Sequence, residues 1–346
     1  MRARNEDERA HLLGVCRAYE NCVPPFPGLP KAYREFGGDD RQFGLFRTER
    51  ATEEINSGSF PLALGNTLGR RLVLDYGRPD FGEDLIIGTR KRSDLRTQRA
   101  AIVGYFGDLD DVDPEVADYL DPVPPGEDEA SYAIGQKGNL LTITRRAFIN
   151  DDIGLFQRLV GRLGRAARRT HARYCWAPFI NNVALYDGDS FLHANHRNLG
   201  DNVLTLGNVQ AGITAIRSQT ELGSGERIPF AGPFDLWIPL ELEFAADAIC
   251  PPVPAAGQVT LTGKVVPHVN SLFTDVNDWI LTAPPVDCEL LEMAYVNGNE
   301  EPELFLASQA PSEGQMFKAE KLQYKIRHEY GGVIVDWRGA YKSVVA

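Results

Sequence analysis

The chain has 346 residues, with 36 Lys plus Arg against 48 Asp plus Glu, a formal net charge of −12 and a sequence pI near 5.1. Its 43% hydrophobic and 24% charged content is that of an ordinary globular chain and excludes the disordered, collagen-like and disulfide-scaffold classes. The longest apolar runs, such as Leu236 to Pro239 and Val333 to Val335, fall far short of the ~20 residues that span a bilayer, so no membrane contact is expected. The opening MRARNEDERAHLLG lacks the small-residue cleavage site of a secretory signal. Five scattered cysteines (Cys16, Cys22, Cys175, Cys250 and Cys288) show neither a CxxC pair nor zinc-like spacing and read as reduced thiols. The length allows two domains, or one with long excursions.

Residues 1–59 combine a short helix at Asp7–Tyr19 with a Pro-rich and then a Gly/Asp/Arg-rich stretch, and read as an extended arm with little core of its own. In 60–84, Leu64, Leu68, Leu72 and Leu74 recur at near-helical spacing until Gly77 stops the pattern. Residues 85–149 are the least usual. Arg90, Lys91, Arg92, Arg96 and Arg99 form a basic stretch, and between Ala100 and Gln136 there is no Lys or Arg at all. That span holds ten acids: Asp108, Asp110, Asp111, Asp113, Glu115, Asp118, Asp121, Glu127, Asp128 and Glu129. Setting those ten aside from the 48 leaves 38 acids against 36 bases, a net charge of −2, so the acidity belongs to one segment rather than to the body. With NLLTITRRAF strand-like beyond it, the segment reads as a long two-stranded excursion with a basic base and an acidic tip. A solvating, disordered loop is the competing reading, and the apolar runs on both sides of the acids count against it.

The clearest helix is INDDIGLFQRLVGRLGRAARRTHARYCWAPF, capped by Asn150 or Asp151, with Asp151 and Asp152 at the positive end of its dipole and Pro178 as its stop. Phe156, Leu159, Leu163, Ala166 or Ala167, Thr170 and Tyr174 are expected to form its buried stripe. Arg158, Arg162, Arg165, Arg169 and Arg173 follow the other face. A solvated face is the ordinary explanation of such arginines. The lack of any acid from Ile153 to Phe179 also fits a surface that meets an acidic partner, either DNA phosphates or the acidic tip of another copy. Residues 179–346 read as α+β. The expected elements are a helix near Val209–Gln219, a strand running into a helix in FDLWIPLELEF, and strands in WILTAP, LLEMAYV, LFLA and KLQYKIRHEYGGVIVDW. The last places Leu322, Tyr324, Ile326, His328 and Tyr330 on one face.

Catalytic constellations are missing. His193 and His196 lie in a loop-like stretch without further ligands, Ser224 has no assignable base, and no HExxH, Walker A, GxGxxG or nucleophile-elbow pattern occurs. No catalytic residue, metal or cofactor is expected.

The stretches TITRRAFINDDIGLFQRLVGRLGRAARRT, DGDSFLHANHRNLG, WILTAPPVDCELLEMAYVNGNEEPEL and KIRHEYGGVIVDWRGAYKS, in this order, resemble the major head subunits of Mu-like tailed phages. The resemblance covers most of 60–346. It implies an α+β Hong Kong 97-like phage capsid fold with an N-terminal arm (1–59), a helix leading into the loop (60–84) and an extended β-hairpin loop over a neighbour (85–149). The spine helix of the peripheral domain (150–180), a mainly axial domain (181–285) and a return to the peripheral domain (286–346) would follow. It further implies a major capsid protein of an icosahedral head, assembled in the host cytoplasm and found in the virion. Its partners would be copies of itself as hexamers and pentamers, portal and scaffolding or cement proteins, and packaged double-stranded DNA. An encapsulin-like compartment subunit and a soluble enzyme are the alternatives. The residues expected at contacts between subunits are Asp108, Asp110, Asp111, Asp113, Glu115, Glu127, Asp128 and Glu129 against Arg90, Arg92, Arg96 and Arg99, or against the basic face of the spine helix.

Overall fold

The computed structural model describes residues 71–104, 106, 108–109, 126–144, 153–307 and 314–345. The arm at 1–59, most of the helix expected at 60–84, the acids from Asp110 to Asp121 and the caps Asn150, Asp151 and Asp152 lie outside them. The chain divides into two compact units, one made of 1–71, 139–161 and 304–326, the other of 72–138, 162–303 and 327–346.

Helix α1, Ile153–Asn181, is the longest element. Pro178 lies inside it rather than at its end: the missing N–H leaves one carbonyl of the last turns without a helical partner, and the helix still runs on to Asn181. Its buried face is also rotated from the expected stripe. Within the second unit Gly164, His171, Ala172, Cys175, Trp176 and Phe179 are buried, whereas Thr170 is exposed and Leu163, Ala166, Ala167 and Tyr174 are only partly covered. Apolar spacing missed this face because a glycine and a histidine belong to it.

Glycine is required where α1 meets the helical residues 72–76. A Cβ on Gly164 would stand 2.4 Å from the carbonyl oxygen of Leu72 and 3.2 Å from the Tyr76 nitrogen. Gly82 has a second such constraint, with φ at +67° and the Trp237 ring 2.2 Å from where a Cβ would stand. Around these approaches lies an aromatic core, in which Trp176 meets Trp237 at 4.7 Å and Phe273 at 5.3 Å, and Phe179 meets Phe191 at 4.9 Å, all between ring centroids.

Two sheets in the second unit carry this core. In the first, β1 (Ile87–Arg92) runs parallel to β9 (Leu291–Val296), and β9 pairs antiparallel with residues 330–334 of β11 (Lys321–Ile334). The second has the order β5 (Leu199–Gly200), β12 (Ala340–Ser343), β8 (Trp279–Thr282), β6 (Phe234–Ile238) and β7 (Val265–Val269). Every residue of β6 and β8 is buried, as expected of central strands. Helix α2, Leu206–Arg217, is capped by Thr205, whose side chain accepts from the Asn208 N–H. After β6, Pro239 leads into the 3-10 turn Leu240–Leu242 and helix α3, Glu243–Ile249, as FDLWIPLELEF suggested.

The excursion contains a two-stranded pairing, but not with the expected second strand. The expected strand in NLLTITRRAF falls on the next strand along the chain, which pairs with β11. Instead β2 (Thr97–Val103) pairs antiparallel with β3 (Glu127–Ala133), Ala100 opposite Ala130, so Glu127, Asp128 and Glu129 lie on the returning strand of this hairpin. Its base is not free, because Ala100, Ala130, Tyr132 and Ile134 pack with Ala294 in a small core. The first unit holds the N-terminal half of β11 beside β10 (Glu303–Leu306), where the Ala307 N–H donates to the Gln323 carbonyl at 3.0 Å. On β4 (Gly135–Thr144), Thr142 accepts from the Gln323 side chain at 3.3 Å. Along β11, Leu322, Tyr324, Ile326, His328 and Tyr330 are all buried, the alternation expected from sequence. A short helix α4, Gly314–Ala319, precedes it.

Polar groups are buried against α1 in the second unit. Glu83 is fully buried and its Oε1 lies 2.8 Å from the Arg168 Nε, while Asp84 accepts from Arg168 at 2.6 Å. Burial opposes the Arg168 charge, but the hydrogen bond to Asp84 and the field of Glu83 outweigh it and raise its pKa. His171 touches the Tyr295 hydroxyl at 2.7 Å and stacks on His328 at 5.7 Å. His328 Nε2–H donates to the Glu300 carbonyl at 3.1 Å, and Nδ1 has no hydrogen-bond partner among the described residues. Burial first, then the nearby His171, lowers the His328 pKa to about 3.

Four outcomes are expected from this packing. Gly164→Ala should cost about 1–3 kcal/mol in denaturant titrations, the usual penalty of overpacking. Gly207→Ala, where a Cβ meets nothing within 4 Å, should be neutral or mildly stabilising. Arg168→Ala strips a buried carboxylate of its countercharge and should cost roughly 3–5 kcal/mol, with part recovered in the Glu83→Gln double variant. For His328, the unfolded imidazole takes up a proton below a pKa of about 6.5, whereas the folded one stays neutral down to about 3. Its contribution is therefore intact above pH ~6.5 and declines by up to ~1.4 kcal/mol per pH unit as the pH falls below that value. Stability measured between pH 6.5 and 4 should fall less steeply in His328→Phe than in the parent, and equal slopes would contradict this assignment.

Candidate assembly surfaces

The hairpin and the outer face of α1 are the two strongly charged surfaces that the sequence singles out. On the hairpin, Val103 and Glu127 are opposite each other at the end of the described ladder, and beyond them Phe106 and Leu109 are exposed. Asp108, Glu127, Asp128 and Glu129 are all exposed. Of these, Glu129 is paired within the chain, its Oε2 lying 3.1 Å from Arg99 Nη1 across the two strands. No ion pair engages Asp108, Glu127 or Asp128 among the described residues.

The basic stretch is used largely within the chain. Arg90 and Arg92 are strand residues of β1, not part of the hairpin. Arg90 Nη2 donates to Glu289 at 2.7 Å and Arg92 Nη2 to Glu292 at 3.2 Å. Glu292 also accepts from the Tyr132 hydroxyl at 2.7 Å, which ties the hairpin base to the sheet. Burial, followed by this hydrogen bond, pushes the Tyr132 pKa up to about 12, so the hydroxyl remains a donor at any ordinary pH. Arg96 lies 3.8 Å from Asp94. These partly exposed pairs contribute little stability each, on the order of 1 kcal/mol or less. They nevertheless leave fewer free charges on this strip than its composition suggests.

On α1, Arg158, Arg162, Arg165, Arg169 and Arg173 are all exposed. Arg165 shares Asp75 with Arg78, at 3.3 and 2.9 Å. The other four have no ion pair among the described residues, and the helix offers them no acid. The sequence reading passed over Arg168, which points inward to Glu83 and Asp84. Its position four residues after Gly164, on the side of His171 and Cys175, was the available signal.

The histidine pair is structural. His196 Nε2 bonds Asp187 at 2.9 Å and its ring stacks on Trp337 at 4.1 Å, while His193 lies 3.5 Å from Asp189. Ser224 donates to the Glu221 carboxylate at 2.7 Å, an acceptor three residues away that the sequence did not assign, within a tight turn in which the Ser224 hydroxyl also accepts from the Glu226 N–H. Among the described residues no three His, Cys, Asp or Glu side chains gather in a way that could hold a metal, and no helix is long and apolar enough to cross a membrane.

Residues 127–343 match the family model of the phage capsid protein. No curated protein sequence matches the chain. Among solved structures, one from Mycobacterium phage Patience superposes with a TM-score of 0.51 at 8% identity, covering 85% of this chain and 90% of that one. The capsid of a native GTA particle gives a TM-score of 0.50 at 11% identity, covering 78% and 91%. The fold is thus the α+β Hong Kong 97-type capsid fold, matched at the level of the capsid family rather than of its Mu-like group. With more than half of its length matched, the chain belongs to the phage capsid protein family and is a major capsid protein, a structural subunit that assembles with its own copies into the shell of a virion.

Proposed function

We propose that this shell is the icosahedral head of a tailed phage, built of hexamers and pentamers of the chain around double-stranded DNA, with portal and scaffolding or cement proteins as further partners. Assembly takes place in the host cytoplasm, and the chain itself catalyses no reaction. The observation that carries this reading is the match of residues 127–343 to the phage capsid family. The charged surfaces suit it, since a shell subunit must meet several neighbours and a polyanionic content.

In this reading the hairpin lies over a neighbouring subunit. Asp108, Glu127 and Asp128, together with Asp110, Asp111, Asp113 and Glu115, meet basic residues of that neighbour. Arg90, Arg92, Arg96 and Arg99 already have carboxylates at hand in their own chain, so the better partners are Arg158, Arg162, Arg169 and Arg173 of α1, or these arginines face the DNA phosphates. Charge pairing of this kind sets register and encounter rate more than raw affinity.

The test is expression of the chain with its co-assembling proteins, followed by electron microscopy and nuclease protection. Closed uniform shells that protect double-stranded DNA are the expected result, and small monodisperse particles would refute the reading. Reversing Asp108, Glu127 and Asp128 to Lys should lower shell yield severalfold at low salt. If the contact is with α1 of a neighbour, reversing Arg162, Arg169 and Arg173 to Glu in the same chain should restore it. If those arginines serve DNA instead, their reversal alone should leave shells intact and reduce only the nucleic acid they retain.

A further inference from the structure

The five-stranded sheet of the second unit ends in two edges that differ in chemistry, and each carries apolar side chains the subunit leaves uncovered. Helix α3 follows β6 and the 3-10 turn and leads on to β7. It buries Ala246 and Ile249, while Leu240 of the turn and Phe244 of the helix, four residues apart, are 57% and 83% exposed. Glu241, Glu243 and Asp247 flank them, all exposed and without an ion pair among the described residues, and from Ile228 to Gly263 the sequence contains no Lys or Arg.

The opposite edge is β5 and the start of α2. Here Leu199 and Val203 are 41% and 57% exposed, and Gly207 presents open space at the first turn of α2. From Asn202 to Thr220 the sequence contains no acid. Asp201 is the exposed acid of this edge, and Arg197 is also exposed, without an ion pair among the described residues. The N-terminal end of α2 adds the partial positive charge of a helix start.

We infer that these edges are the two halves of one contact between copies, in which Leu240 and Phe244 of one subunit sit on Leu199, Val203 and the first turn of α2 of the next. The sheet order β5-β12-β8-β6-β7 sets β5 and β7 four strand spacings apart, roughly 19 Å, and Leu199, Val203, Leu240 and Phe244 are all exposed in the subunit. A contact between unlike edges is heterologous and closes into a ring when the rotation between copies allows it. The acid-rich α3 edge fits the side with Arg197 and the α2 N-terminus, and it repels a second α3. A bulky aromatic seated beside an open glycine is the kind of anchor that dominates interface energetics. This inference rests on the shell-subunit reading and names the surface that would build its rings.

The experiment pairs Val203→Cys with Phe244→Cys in the full chain, assembled and then oxidised. A ladder of covalently linked copies is expected from the double variant and from neither single variant. Phe244→Asp should reduce the yield of shells at least tenfold while leaving the melting temperature of the subunit unchanged. Assembled particles that give no ladder, or shells from Phe244→Asp at the parental yield, would overturn the contact and leave the capsid reading standing. A parental chain that forms neither rings nor shells counts against the capsid reading itself.

Discussion

The second unit depends on how closely α1 can approach the chain that precedes the hairpin. Gly164 lets the backbone at Leu72 and Tyr76 come within contact of the helix, and the next turns along that face deliver Arg168, His171, Cys175 and Trp176 inward. That approach brings Glu83 against Arg168 at 2.8 Å and lets Trp176 reach Trp237 on the second sheet. A larger residue at 164 would separate all of these at once, because interiors packed to crystal-like density cannot absorb an added methyl group locally.

The charges are divided accordingly. Those near the body are neutralised in place: Arg168 by Glu83 and Asp84, Arg90 and Arg92 by Glu289 and Glu292, and Arg99 by Glu129. Among the described residues without an ion pair are Asp108, Glu127 and Asp128 of the excursion, Arg162, Arg169 and Arg173 on the outer face of α1, Glu241, Glu243 and Asp247 in and beside α3, and Arg197. A subunit whose leftover charge is segregated by sign onto separate surfaces is suited to meeting other molecules, its own copies included, and such segregation favours correct register over indiscriminate association.

Much of the fold was legible from pattern. The alternation in KLQYKIRHEY identified the buried face of β11, and the continuous apolar text of FDLWI and WILT suited central strands. A two-stranded excursion was legible too, but its second strand is the acid-bearing β3 rather than NLLTITRRAF, because Ala130 and Tyr132 of β3 are the residues that join its small core. The helix α1 was legible in extent but not in orientation. Its buried face includes Gly164, Arg168 and His171, residue types that any apolar-stripe argument assigns to solvent. The Pro178 stop failed for a related reason, since tertiary packing of Phe179 holds the last turn despite one lost hydrogen bond.

Composition and order along the chain determined that the net charge of −12 is concentrated in one acidic segment while the remainder is near neutral, and the order of its motifs supplied the resemblance to capsid subunits. Only the tertiary structure decided which charges are free. Arg90, Arg92 and Arg99 look the same in sequence as Arg162, Arg169 and Arg173. The first three fall opposite carboxylates brought by β9, the loop before it and β3, whereas the second three have no ion pair among the described residues. Likewise Phe244 lies in an apolar-rich stretch of sequence, and only the folded subunit leaves it 83% exposed. The physical reason is the same in each case: whether a side chain is paired or covered depends on residues far away in sequence, and only the packed chain brings them together.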